Sequence, residues 1–170
     1  YCIMQYDWRG THRNDILYSD NGSVWEESRV VGESQHTALS EIAGAWCGNG
    51  RVVALIRDDA RRRGHPLLQI VSRDNGRTWS EPQQTNIPPE QHWGAAPQLI
   101  YDRKRDLLIA LNSDRYTRPD AENSLFVYTA KPDEILEEPT NWTLQFELER
   151  PWAKADFDKD RPLNRIFYGY

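Results

Sequence analysis

A glutamate and an arginine stand at equal distances from one turn signal. The turn signal is the run Cys47-Gly-Asn-Gly50, and Glu41 and Arg57 each lie eight residues from Asn49. If the apolar runs on both sides form strands, the two side chains meet at the open end of one hairpin. They are then direct cross-strand partners, or are displaced from direct pairing by one residue. From its position alone the pair is a surface ion pair of little energy, although the planar fork of an arginine can also bind a carboxylate in bidentate fashion.

A second arginine and a histidine stand in the same relation to a second turn signal. The charged run Asp102-Arg-Lys-Arg105 separates two apolar runs, and a centre between Arg103 and Lys104 places Arg115 opposite His92. Arg115 is therefore predicted at the open end of this hairpin, where its position alone makes it an ordinary loop arginine. By the same reasoning His92 is expected to be a packed loop histidine.

An internal repeat predicts the elements that position these residues. Residues 18–25 and 72–79 both fit D-x-G-x-x-W with a period of 54 residues, and each copy follows an apolar, β-rich run. The Asp-Asn-Gly core predicts a tight turn, because Asn and Gly accept positive φ and the Asp side chain accepts hydrogen bonds from turn N–H groups. A weaker third copy is expected at 128–142, where a longer insertion, with one helical turn at 133–138, replaces the turn.

Strand signals recur along the rest of the chain, and no stretch has a convincing helical period. A period of about 50 residues with about four strands is typical of a propeller blade. The predicted fold is therefore an all-β propeller. The predicted strands are 15–18, 40–46, 51–57, 67–71, 97–101, 107–111, 125–129 and 143–148.

Composition and charge argue against two classes of protein. The 170 residues carry a net charge of -5 and have a mean hydropathy of -0.81, so no basic surface favours general nucleic-acid binding and no apolar run predicts a membrane span. With 7 Trp and 8 Tyr the chain suits a β-protein. Trp46, Trp93 and Trp152 are candidate sugar platforms, with core packing favoured for Trp46. Cys2 and Cys47 either pair or stay reduced, and no metal or cofactor motif is present.

The repeat resembles the Asp box of sialidases (neuraminidases) and related BNR-repeat proteins. The block from Glu41 to Arg57 resembles a sialidase-family segment in which a glutamate precedes a Gly-Arg-hydrophobic strand that ends in arginine. Segments 92–97 and 107–115 resemble the next blade of bacterial sialidase-like propellers. The resemblance implies a propeller that has six blades when complete, of which residues 1–170 supply about three four-stranded antiparallel blades.

The resemblance also implies roles for individual residues. The counterpart of Glu41 polarises a tyrosine nucleophile, and the counterparts of Arg57 and Arg115 bind the substrate carboxylate. The counterpart of His92 is common in the bacterial subset and has no universal role, so His92 is a candidate substrate contact. Tyr170 stands in a context similar to that of the nucleophile, with Tyr168 as the alternative. A neutral tyrosine suits a substrate whose anomeric carbon bears a carboxylate, because an anionic nucleophile would be repelled. The family's general acid and its first carboxylate-binding arginine have no counterpart in this sequence.

The favoured function is that of a sialidase-like glycoside hydrolase that removes terminal acidic sugars, such as sialic acid, from glycans. The alternatives are another carbohydrate-active propeller enzyme (a polysaccharide lyase or a different exo-glycosidase) and a non-catalytic glycan-binding propeller. The expected partner is a glycan or acidic sugar, with no cofactor and no metal. Because three blades do not close a ring, the chain is expected to be a piece of a longer protein, or to be completed by a second copy or another chain. The compartment stays open, with a secreted or periplasmic location favoured.

Overall fold

Three antiparallel sheets follow one another along the chain. The computed structural model describes residues 2–7, 13–31, 39–58, 66–88, 95–113 and 125–148. The strands are β1 (Cys2–Asp7), β2 (Arg13–Tyr18), β3 (Glu26–Val31), β4 (Leu39–Trp46), β5 (Val52–Asp58), β6 (Leu68–Ser72), β7 (Gln83–Gln84), β8 (Ala95–Asp102), β9 (Leu107–Ser113), β10 (Leu125–Ala130) and β11 (Thr143–Leu148). A short helix, α1 (Pro132–Glu137), separates β10 from β11. Sheet 1 contains β1–β3, sheet 2 contains β4–β7 and sheet 3 contains β8–β11, each with neighbouring strands in chain order.

The prediction of an all-β, propeller-like architecture is confirmed. Each predicted strand coincides with an observed strand to within about two residues at either end. The three strands that the sequence did not predict, β1, β3 and β7, are all edge strands of the described sheets. An edge strand is covered on fewer sides, so its apolar pattern is weaker, and β7 consists of two exposed glutamines. Within the described residues, no helix is long and apolar enough to cross a membrane.

Strand β5 is buried along its whole length, because sheet 2 is packed between the other two sheets. Val53 and Leu55 join a core cluster with side chains of sheet 3, whereas Ala54 and Ile56 join a second cluster that includes Ile16 of sheet 1. Alternate residues of one strand therefore enter different cores. Full burial of an aliphatic side chain contributes about 1.5–3 kcal/mol. The apolar residues of β5 therefore stabilise the packing of sheet 2 against both of its neighbours.

Sheet 3 has a second apolar face that points away from sheet 2. Phe126 and Tyr128 lie in the core shared with sheet 2, so the intervening Val127 and its cross-strand partner Phe146 lie on the other face. Ile100 lies on that face too, because the residues on either side of it pack against the shared core. The side chains of Ile100 and Phe146 are 53% and 50% exposed. Large apolar groups at such exposure are typical of a surface that meets another element.

The turn between β6 and β7 is closed by the side chains that the repeat predicts. Asp74 Oδ1 accepts hydrogen bonds from the N–H groups of Arg77 and Thr78 at 3.1 and 2.8 Å, and Thr78 Oγ1 donates to Asp74 Oδ2 at 2.6 Å. Burial alone would raise the pKa of the Asp74 carboxyl, but these hydrogen bonds outweigh it and lower the pKa from 3.8 to about 2. The positive φ of Asn75, 63°, also matches the prediction. Trp79 Nε1 donates to Gly76 O, and its ring lies in the core between sheets 1 and 2.

The turn between β2 and β3 differs from this pattern, and the prediction that its aspartate would hold the turn is wrong. Asn21 Oδ1, not Asp20, accepts the N–H groups of Ser23 and Val24, at 2.8 and 3.0 Å. Asp20 instead accepts a hydrogen bond from the Tyr18 hydroxyl and pairs with Arg77 of the neighbouring turn. The hydrogen-bonding role has moved by one residue, which a pattern match cannot detect because both residue types accept hydrogen bonds.

The longer connection predicted after β10 contains α1 and ends at Trp142. The indole Nε1 of Trp142 donates to Oε1 of the buried Gln69 at 3.1 Å, and Gln69 Nε2 donates to Ile135 O at 2.8 Å. This tryptophan therefore fastens the connection to sheet 2 rather than to its own hairpin.

Asp74→Ala is expected to lower the free energy of unfolding by about 1–3 kcal/mol at neutral pH, because the N–H groups of Arg77 and Thr78 lose their acceptor. The pKa of Asp74 is depressed in the folded state, so its stabilisation is present above about pH 4 and is lost as the pH falls toward 2. The difference between Asp74→Ala and the parent should therefore narrow over that interval in denaturant unfolding followed by circular dichroism. Asp20→Ala is the matched control and should cost less; equal losses at both positions would contradict the assignment.

The isolated 170-residue chain is expected to associate in solution through the outer face of sheet 3, because Ile100 and Phe146 leave apolar surface uncovered. Analytical ultracentrifugation should detect oligomers or aggregates, and Phe146→Lys should reduce them. Leu144→Lys is the control: Leu144 is on the same strand and 43% exposed, but it pairs with Tyr128 on the other face. A parent chain that sediments as a stable monomer would refute this prediction.

Candidate functional site

The strands of all three sheets end on two opposite sides of the stack, here called its edges, and the two sides differ in chemistry. One edge carries the connections that follow β2, β4, β6, β8 and β10, and ion pairs between these connections, such as Arg77–Asp20 and Arg51–Asp133, align it across the sheets. We call this the turn edge. We call the opposite edge the site edge; its polar residues with described side chains include Asn14, Ser40, Glu41, Arg57, Asn112 and Ser113.

Glu41 and Arg57 are in contact at the site edge of sheet 2. Ile42 pairs with Ile56, which centres the β4–β5 ladder on Asn49, as the spacing predicts. A β-bulge beyond Ile42 then places Glu41 beside Arg57. Arg57 Nη1 donates to Glu41 Oε2 at 2.9 Å, and the two side chains are 11% and 27% exposed. The pair is thus more buried than a surface ion pair and keeps part of its carboxylate accessible.

The second predicted hairpin is shifted by one residue. Asp102 pairs with Leu107, so the β8–β9 ladder is centred between Lys104 and Arg105, and not between Arg103 and Lys104. The cause is a four-residue turn, in which Asp102 Oδ1 accepts the N–H groups of Lys104 and Arg105 and Asp106 takes a positive φ of 49°.

The residues predicted at the open end of that hairpin, His92 and Arg115, lie outside the described residues, as does Tyr170. Their predicted roles stay predictions. Of the predicted site residues, the structure describes Glu41 and Arg57 and brings these two together.

Asn112 occupies in sheet 3 the position that Arg57 occupies in sheet 2. Arg57 directly precedes Asp58, which pairs with Leu39 beyond the β4–β5 bulge. Asn112 directly precedes Ser113, which pairs with Ala95 beyond the β8–β9 bulge. Each also lies two residues after a side chain of the core between sheets 2 and 3, Leu55 and Ala110 respectively. Strand alternation therefore directs Arg57 and Asn112 toward the same junction, where they are 9% and 0% exposed. Asn112 is a site-edge residue that was not predicted from the sequence, although an alignment of the second and third repeats pairs it with Arg57.

Three further polar side chains at the site edge are buried without a hydrogen-bond partner among the described residues. They are Asn14 in sheet 1, Ser40 in sheet 2 and Ser113 in sheet 3, and none is more than 3% exposed. Elsewhere, the buried Gln69 and Thr85 are both hydrogen-bonded. A buried polar atom without a partner costs about 1–3 kcal/mol, and such atoms are uncommon in folded proteins. Their occurrence in all three sheets at one edge is typical of a surface that completes its hydrogen bonds with water or a ligand.

The site edge offers carboxylate, guanidinium, amide and hydroxyl groups, which suit hydrogen bonding to a polar ligand. No cluster of three or more potential ligands able to hold a metal ion occurs among the described side chains. Cys47 is a buried free thiol on the turn side of β4, so the pairing with Cys2 left open by the sequence is absent. Burial raises the pKa of the Cys47 thiol to about 11, which disfavours the nucleophilic thiolate.

Solved structures with a similar fold include a sialidase. A protein of unknown function from Dyadobacter fermentans is similar over 88% of this chain and 37% of its own length, with a TM-score of 0.61 and 15% identity. A point mutant of the NanB sialidase from Streptococcus pneumoniae is similar over 87% of this chain and 21% of its own length, with a TM-score of 0.58 and 16% identity. A complex of NanB with an ammonio-ethanesulfonate compound gives a TM-score of 0.54 at 16% identity.

These similarities establish a sialidase-like fold, and the chain spans about a fifth to about two fifths of the lengths of those proteins. No protein-family model and no curated protein sequence matches the chain.

The Glu41–Arg57 contact is expected to stabilise the fold by about 1–2 kcal/mol, between the values typical of surface and buried pairs, because both side chains are partly withdrawn from water. A double-mutant cycle with Glu41→Gln and Arg57→Met, measured by denaturant unfolding, isolates this coupling. Arg105 and Asp102, which pair in an exposed turn, provide the control cycle and should show weaker coupling. Equal coupling in both cycles would contradict the importance of burial at the site edge.

Proposed function

We propose that the site edge forms part of the active site of a glycoside hydrolase that removes terminal acidic sugars, sialic acid in particular, from glycans. The observation that carries the proposal is the Glu41–Arg57 pair, held at 2.9 Å at the edge where buried polar side chains of all three sheets converge. The sialidase-like fold supports the same function.

Arg57 is suited to hold the carboxylate of the sugar. Its side chain is 11% exposed and is oriented by Glu41, so its planar donors are ordered before a ligand arrives. Asn112 at the same junction would add an amide, which can donate to one sugar oxygen and accept from a hydroxyl group. An acidic sugar presents both a carboxylate and hydroxyl groups, so it matches this combination of groups.

Chain connectivity supports the proposal for the other predicted residues, because their segments continue from strand ends at the same edge. Arg115 follows Ser113 by two residues, and His92 precedes Ala95 by three; Ser113 and Ala95 are paired strand ends at the site edge. Arg115 is proposed as a second carboxylate ligand and His92 as a substrate contact. Tyr170 belongs to the segment that follows β11, which also ends at this edge.

In the proposed reaction, the Tyr170 oxygen attacks the anomeric carbon while its proton passes to Glu41. A tyrosyl–sugar bond forms and the glycosidic bond breaks, with the electron pair leaving on the aglycone oxygen. That oxygen takes a proton from an acid outside the set of residues predicted here. Water then attacks the anomeric carbon and gives one proton to the group that had protonated the aglycone. The tyrosyl–sugar bond breaks, Tyr170 recovers its proton from Glu41, and the sugar leaves with retained configuration.

The test uses the longest natural polypeptide that contains this sequence, with a fluorogenic sialoside as substrate. Tyr170→Phe is expected to lose most turnover while substrate still binds, because the nucleophilic oxygen is removed and the arginines remain. Arg115→Lys is expected to lower kcat/KM by more than tenfold, since an ammonium cannot reproduce a bidentate contact worth about 1.5–3 kcal/mol. Arg105→Lys, an exposed arginine at the turn edge, is the matched control and should leave turnover unchanged.

The outcomes separate the competing functions. Cleavage of a glucuronide or an acidic polysaccharide, but not of the sialoside, would favour another carbohydrate-active enzyme. Glycan binding without turnover of any substrate would favour a non-catalytic propeller. Full turnover by Tyr170→Phe would remove the proposed nucleophile.

A further inference from the structure

Trp46 lies at the turn edge and is not a core residue, contrary to the prediction from sequence. Its side chain is 49% exposed, whereas Trp79 and Trp142 are 7% and 3% exposed. The indole Nε1 donates to Asn75 Oδ1 at 3.1 Å, so the polar atom of the ring is already hydrogen-bonded. Apart from Nε1 the indole consists of carbon and hydrogen, so the ring surface that it offers is largely apolar.

Arg103 lies over this ring, with its guanidinium carbon 5.6 Å from the ring centroid. Every other arginine whose side chain the structure describes has a carboxylate within salt-bridge distance: Arg51, Arg57, Arg73, Arg77 and Arg105. Among the described residues, Arg103 has no such partner, and the residue is exposed. The Trp46 ring and a guanidinium without a salt-bridge partner among the described residues thus lie next to each other on the surface.

The backbone beneath Trp46 is rigidly joined. The turn after β4 meets the turn after β6, where Asn75 N donates to Gly50 O at 2.8 Å. The approach is so close that a Cβ on Gly50 would stand 2.7 Å from Arg73 O. Asn75, whose side chain holds the indole, is fixed by this same contact. A platform that is ordered before binding loses less conformational entropy when a ligand arrives.

We propose that Trp46, Asn75 and Arg103, together called the Trp46 platform, form an accessory binding site for an acidic sugar on the edge opposite the site edge. The apolar face of a pyranose ring packs on the exposed indole. The guanidinium of Arg103 receives the sugar carboxylate through paired hydrogen bonds, for which its planar fork is suited. The proposal goes beyond the proposed hydrolase function and does not depend on it, because no residue of the site edge takes part.

The size and surroundings of the platform favour a sugar over a protein partner. The turns that border Trp46 contain no other large exposed hydrophobic residue among the described side chains; the other such residues are Val24, Ile100, Leu144 and Phe146. A protein interface typically surrounds a tryptophan anchor with further apolar contacts. Here the turns that border a single ring carry the exposed polar residues Asn49, Asn75, Arg103 and Lys104, a combination that suits one sugar ring with a negative charge.

The test is fluorine NMR of the longest natural polypeptide containing this sequence, labelled with fluorotryptophan. The Trp46 signal is identified by its loss in Trp46→Phe. Glucuronate and glucose are the probes, since they differ in the carboxylate alone. Glucuronate is expected to shift the Trp46 signal with an affinity about tenfold higher than that of glucose, the factor expected for one charge-assisted contact. Arg103→Gln should reduce glucuronate binding to the level of glucose, whereas Arg105→Gln, in the same turn, should not.

Arg57→Gln separates this site from the site edge, because it should leave the glucuronate-induced shift of Trp46 unchanged. Absence of any Trp46 shift with glucuronate would overturn the proposal. Equal affinities for glucuronate and glucose, or unchanged glucuronate binding in Arg103→Gln, would also overturn it. A shift caused by an acidic peptide but not by glucuronate would assign the platform to a protein partner instead.

Discussion

The burial of sheet 2 on both faces is the constraint on which the rest of the structure depends. Because Leu55 faces sheet 3 and Ile56 faces sheet 1, neither neighbouring sheet can be removed without exposing a continuous apolar face. Polar groups are costly inside such a stack, so hydrogen-bonding chemistry is confined to the two edges where strands end. The fold thus determines where a site can lie before any residue type at that site is considered.

The two edges satisfy their polar groups in different ways. At the turn edge, Asp74 and Ser72 bind the N–H groups of their own turn, and ion pairs such as Arg73–Glu137 join neighbouring connections. At the site edge, Asn14 and Ser113 are buried and have no hydrogen-bond partner among the described residues. The first arrangement stabilises the fold by itself, whereas the second leaves buried polar atoms whose hydrogen bonds the described residues do not supply. This contrast explains why the site edge is the better candidate for catalysis and why the turn edge offers only a surface platform.

The sequence predicts contacts where the strand pairing is regular and centred on the predicted turn. It fails where a turn centre or a hydrogen-bonding role is displaced by one residue. The distances of Glu41 and Arg57 from Asn49 predict their contact because the ladder is regular up to the bulge. The β8–β9 hairpin is misplaced because Asp106 extends its turn with a positive φ, which non-glycine residues seldom adopt. Asp20 is misassigned because the neighbouring Asn21 accepts the same N–H groups. The exposure of Trp46 depends on where two turns meet, which is tertiary information that local patterns do not contain.

Repetition of one sheet type explains how the site edge can carry a specific combination of groups. Packing fixes the position that Arg57 and Asn112 share, but it does not fix the residue type, because each side chain stands at the end of the core and not within it. One sheet can therefore supply a guanidinium and the next an amide at equivalent places around the edge. A polyanion would favour a row of cations. An edge that combines one described guanidinium with amides, hydroxyls and the Glu41 carboxylate is instead consistent with the acidic sugar proposed as substrate, which has a single charge and several hydroxyl groups.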